Sequence, residues 1–133
     1  MENKICTSLE QSKKLSEFLT VESADMFYYK DAVTKEDNPR VMDYSQVPKN
    51  KSMYFFPCWS LAALLSVLPF HLIVNNHSYA FSMVKGFNKN GETYAIKYAI
   101  FNTTFYLHLT DFYNNPIDAC YEMIIRLNEL KML

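Results

Sequence analysis

A chain of 133 residues, half of them apolar, with one tryptophan, ten tyrosines, ten phenylalanines and only two glycines, is expected to form one globular domain spanning 1–133. Thirteen basic against fourteen acidic side chains give a net charge of -1, which removes the electrostatic drive toward a phosphate backbone and excludes nucleic acid as an expected partner. The same composition excludes intrinsic disorder, collagen-like repeats and a disulfide-rich scaffold.

Along the chain, Thr7 followed by Glu10 reads as a capping box, in which hydroxyl and carboxylate each satisfy a backbone N–H at a helix start. A first helix from about Ser8 to Leu19 follows, with Leu9, Leu15, Phe18 and Leu19 as a thin apolar stripe. Met26-Phe27-Tyr28-Tyr29 is an aromatic run suited to a strand. Residues 31–52 then change character: eight charged residues, Pro39, Pro48 and little periodicity predict a long polar connection with a short strand near Val41 to Tyr44.

Pro57 to Leu68 reads as a helix bracketed by Pro57 and Pro69, apolar around nearly its whole circumference and therefore buried. Phe70 to Val74 can pair at a sheet edge. Tyr79 to Phe87 and Thr93 to Phe101 flank Asn88-Lys89-Asn90-Gly91-Glu92, where Asn-Gly suits the positive φ of a tight turn, so they predict a hairpin. In its second strand Tyr94, Ile96, Tyr98 and Ile100 share one face and are expected to meet the core. Thr104 to Leu109 makes a further strand. Asn115-Pro116 with Asp118 opens the last helix, and Ile117, Cys120, Tyr121, Ile124, Leu127 and Leu130 recur at helical spacing. The expected architecture is α+β: an antiparallel β-sheet of three to five strands packed against a C-terminal helix and a buried central helix.

Glycine occurs only at Gly86 and Gly91, so no phosphate-cradling loop is present. Cys6, Cys58 and Cys120 lie more than fifty residues apart, and His71, His77 and His108 lack the tight pairings of zinc sites, so neither metal nor cofactor is expected. The odd cysteine count and the absence of a positive-plus-apolar leader after Met1 point to a reducing, cytoplasmic setting. From Ser52 to Val84 there is no charged side chain, and Met53 to Val74 is long enough to span hydrocarbon. Pro57, Pro69 and His71 interrupt it, which favours a buried helix followed by a strand over a membrane span.

Certain residue groups resemble short uncharacterised proteins encoded by phages and mobile elements of gut anaerobic bacteria. These are Glu10-Gln11-Ser12-Lys13-Lys14-Leu15, Ala24-Asp25-Met26 with Tyr28, Trp59-Ser60-Leu61 with Ala63-Leu64-Leu65 and Leu68-Pro69, and Pro116, Asp118-Ala119 and Glu122-Met123. They are helix starts and core stripes, so the resemblance implies a bacterial cytoplasm and an accessory gene, and carries over no catalytic residue.

The aromatic surplus is the unusual property. Tyr28, Tyr29, Trp59, Tyr106 and Tyr113 are candidate binding residues, because protein-binding patches favour large amphipathic rings and ten tyrosine hydroxyls are hard to satisfy in one core. The function expected on these grounds is a non-enzymatic interaction or regulatory domain that binds a protein partner or itself. The alternative is a small thiol-dependent or hydrolytic enzyme using Cys58, at the start of the central helix, with a histidine as base. A third is a membrane-associated protein.

Overall fold

The computed structural model describes residues 4–30, 37–41 and 55–133. Among them are three α-helices and seven strands in two antiparallel sheets, an α+β fold with a C-terminal helix. The chain divides into two compact units, Ile5–Leu64 and Leu65–Leu133 with Met1–Lys4.

In the unit Ile5–Leu64, helix α1 spans Leu9–Leu15. Its capping box lies one residue later than the sequence suggests: Ser8 accepts from the Gln11 N–H at 3.1 Å, and the Gln11 side chain accepts from the Ser8 N–H at 2.9 Å. Thr7 is taken elsewhere. Fully buried, its hydroxyl accepts the Trp59 N–H at 3.1 Å, and its own N–H donates to the Trp59 carbonyl at 2.9 Å. A single 3-10 turn, Val21–Ser23, leads to strand β1 (Met26–Lys30), the expected aromatic run. Strands β2 (Asp37–Val41) and β3 (Phe55–Cys58) flank it in the order β2-β1-β3. The predicted strand near Val41 to Tyr44 therefore begins earlier, and Tyr44 lies outside the described residues, as do 31–36 and 42–52 of the predicted connection.

Pro57 does not open the central helix but sits in β3, opposite Phe27. An outer strand tolerates proline because half of its backbone groups face away from the sheet. Helix α2 spans Leu61–Val67 and starts at Ser60, whose carbonyl and hydroxyl accept the Leu64 and Ala63 N–H groups. Ala63, Leu64 and the following Leu68 are buried, while Ala62, Leu65 and Ser66 are exposed, so the helix is buried along one stripe and not all round.

The unit Leu65–Leu133 carries β4 (His71–Val74), β5 (His77–Asn88), β6 (Gly91–Ala99) and β7 (Tyr106–Leu109), ordered β4-β5-β6-β7. Asn75 and Asn76, at φ 51° and 67°, form the two-residue turn between β4 and β5; successive left-handed residues match the twist of paired strands. The predicted hairpin is β5–β6, closed by the Asn88–Gly91 pair. Its turn residues are Lys89 and Asn90, and only Gly91, at φ 117°, takes a positive angle. Ile96 and Tyr98 are fully buried as expected. Thr93, Ala95 and Ala99, of opposite phase, are buried too, so β6 is covered on both faces.

Helix α3 spans Pro116–Glu129 and packs on β6, with Asn115 as N-cap accepting the Asp118 N–H at 2.8 Å. Ile117, Cys120, Ile124 and Leu127 are buried as the spacing predicts, joined by Ala119 and Met123. Leu130 falls at the C-cap and is exposed. The Tyr98 hydroxyl donates to the Pro69 carbonyl at 2.7 Å, tying the core strand to the residue that leads into β4.

Candidate functional site

The open edge of β4 is the feature with binding chemistry. The Phe81 N–H donates to the Phe70 carbonyl, and Val74 and His77 close the Asn75-Asn76 turn. Hydrogen-bonded and non-bonded pairs alternate along an antiparallel ladder. Phe70, Leu72 and Val74 therefore bond to β5, and His71 and Ile73 aim N–H and C=O away from the sheet. Among the described residues, no backbone group meets these from outside. The side chains alternate across the sheet: Leu72 is buried, whereas His71 is exposed and Ile73 is 68% exposed. Beside the strand runs a shallow cleft of about 390 Å³ lined by Pro69, His71, Leu72, Ile73, Lys131 and Met132.

Sheet edges are normally blunted by charge, proline, a bulge or a covering group, because unpaired backbone groups template the addition of another strand. The other outer strands carry such devices. β2 contains Pro39 and β3 contains Pro57. β7 contains a bulge opposite Tyr98/Ala99, and the carbonyl of its last residue, Leu109, accepts Arg126 Nη1 at 2.8 Å. Arg126 is itself held by Glu122 Oε1 at 2.8 Å. β4, His71-Leu72-Ile73-Val74, has neither charge nor proline and pairs with β5 without a bulge.

The aromatic candidates differ in exposure within their own units. Trp59 is fully buried and its indole N–H donates to Ser23 at 3.0 Å, so the ring is unavailable to a partner. Tyr28 is half-buried, donates to the Thr7 carbonyl at 2.7 Å and packs on Cys6, Met26 and Cys58. The side chain of Tyr29 lies outside the described residues. Tyr106 is 57% exposed at the start of β7. Tyr113 is half-buried, and the neighbouring Glu122 carboxylate, with burial, pushes its phenol up to about 12. Tyr106 pairs with Ala99 and Tyr113 with Tyr94, five residues apart along β6. That separation is roughly 17 Å at about 3.4 Å per residue.

The exposed rings are mostly phenylalanines that tyrosine-centred reasoning misses. Phe70 flanks β4, Phe101 and Phe105 lie beside Tyr106 at the β6–β7 turn, and Phe87 is at the β5–β6 turn. For Phe70 the available signal was the apolar segment Phe70 to Val74, which lies inside the charge-free run and is closed by the Asn75-Asn76 pair.

Cys58 lies in β3, not at a helix start, and is fully buried. Hydrogen bonding to the adjacent Cys6 thiol and burial both push its pKa up, opposite to what a nucleophile requires. The sequence separation of fifty-two residues hid this thiol pair. The unit Ile5–Leu64 contains no histidine. No helix among the described residues is long and apolar enough to cross a membrane. No family model matches the chain, and neither curated proteins nor solved structures yield a match.

Proposed function

We propose that this chain is a non-enzymatic interaction or regulatory module of a bacterial mobile element, acting in the cytoplasm by docking an extended segment of a protein on the edge of β4. The observation that carries this is the contrast among the outer strands: β4 alone among the described ones bears no proline, charge, bulge or covering group. Strand addition needs little more, since main-chain hydrogen bonds supply affinity and flanking clefts supply selectivity. The cytoplasmic setting rests on the odd cysteine count of the sequence. The mobile-element origin rests on the resemblance alone.

The test is affinity capture from a bacterial lysate with the wild-type chain and with Ile73→Lys, which places a charge on the edge. A protein retained by the wild type and lost from a folded Ile73→Lys variant is the expected outcome. The same set of captured proteins from both chains would reject the edge as the docking element.

A further inference from the structure

We infer that the occupant of the β4 edge is a second copy of this chain, paired antiparallel through β4 about a two-fold axis at Leu72. This inference rests on the docking reading above and names its partner.

The outward backbone groups set the register. His71 and Ile73 each present an N–H and a C=O, and pairing His71 with Ile73 of the second copy, and the converse, gives four inter-chain hydrogen bonds. Any such antiparallel pairing is isologous, so the same surface serves both copies and the assembly closes at two. Leu72 then meets Leu72 across the axis in the close, non-hydrogen-bonded position.

Charge and register both suit a second copy. Like charges placed opposite one another are the usual bar to self-pairing. The stretch from Ser52 to Val84 has none, and in this register His71 faces Ile73 instead of another His71. Lys131, the only charged residue lining the cleft, is exposed and keeps its ammonium in water. A neutral apolar edge of four residues meets its own image with no repulsion to overcome. Phe70 and Ile73, both largely exposed, gain cover from the second chain. Four residues a side is a small interface, so the association belongs to the weak, concentration-dependent class.

The experiment is light scattering of the full chain across a concentration series from about 10 to about 500 µM, a range suited to a weak pair. The expected result is a mass rising from 15.6 kDa toward twice that value, with Ile73→Lys staying at the monomer mass. Cysteine trapping reads the register and does not depend on that variant folding. Under mild oxidation Leu72→Cys should cross-link to itself. His71→Cys and Ile73→Cys should cross-link when mixed, and neither alone, because diagonal neighbours at about 7–8 Å exceed disulfide reach. The wild type, whose cysteines are buried, is the control.

A wild-type monomer at the highest concentration would overturn the inference. So would a dimer that Ile73→Lys leaves intact and Leu72→Cys does not trap. If the chain is monomeric yet captures a protein that Ile73→Lys loses, the self-pairing fails while strand addition at β4 survives. If neither occurs, both fail.

Discussion

Replacing Thr7 with valine keeps the volume and branching of the side chain and removes only its hydroxyl. In the buried interior that hydroxyl accepts the Trp59 N–H at 3.1 Å and bonds the Ser12 hydroxyl at 2.8 Å. Ser12 has a fallback, its Oγ lying 3.5 Å from the Thr7 carbonyl, so the main loss is one buried amide left without an acceptor. Such a group costs about 1–3 kcal/mol, which puts Thr7→Val near 2 kcal/mol. Ser8→Ala, which removes the observed cap, should cost about 1 kcal/mol. Trp59 is the only tryptophan, so its fluorescence during urea unfolding follows the unit Ile5–Leu64. With a slope of about 1–2 kcal/mol/M, the midpoint of Thr7→Val should fall by about 1–2 M at unchanged slope. Thr7→Ser, which restores the acceptor, should recover most of the loss. A Thr7→Val midpoint equal to the wild type, or a larger loss for Ser8→Ala than for Thr7→Val, would refute the assignment of Thr7 as an interior tie and return it to the role of cap.

Gly86→Ala should destabilise the Leu65–Leu133 unit by about 1–3 kcal/mol, because its Cβ would lie 2.7 Å from Thr93 Oγ1 and 3.2 Å from the Phe112 ring. Thermal melting reads the loss, and adding Thr93→Ala should recover part of it; a melt unchanged by Gly86→Ala contradicts the packing. Burial, aided by the Arg126 charge, holds the His108 pKa below its ordinary 6.5. The unfolded chain then binds the proton more readily, so this contribution is present above about 6.5 and is lost as pH falls below it. His108→Gln should flatten stability between about pH 7 and 5, the window below the ordinary histidine value, and identical slopes for the two chains there would exclude His108 as a source.

Elements with a complete local signal were legible in the sequence. The β5–β6 hairpin has alternating residues around a turn, and α3 carries its cap, first-position proline and apolar spacing within one stretch. Failures occurred where a distant residue competed for a local group. Thr7 has the chemistry of a cap, but the Trp59 N–H, fifty-two positions away, claims its hydroxyl and Ser8 takes over the helix start. Pro57 suits a helix start as well as an outer strand, and pairing with β1 decides for the strand. Similarly, the number of aromatics was evident but their distribution was not. Trp59 found an acceptor in the half-buried Ser23, while Phe70, Phe101 and Phe105 fell at strand ends and turns. The edge strand at Phe70 to Val74 was visible as a possibility; that, among the described residues, it lacks the guards the other edges carry emerged only once the strand order was known.

The three cysteines have a further use as clocks. Cys6 and Cys58 are buried in the unit Ile5–Leu64, and Cys120, its thiol pushed up to about 12 by burial, lies on the buried face of α3 in the other. A thiolate reagent can reach none of them in the closed fold, so each reacts only during a transient opening of its own surroundings. Labelling rates, resolved by peptide mass, therefore measure the opening free energy of each unit separately in the unmodified chain. A Cys120 that labels with Cys6 and Cys58 at one common rate would mean that the units open together; two rates would mean that each breathes alone.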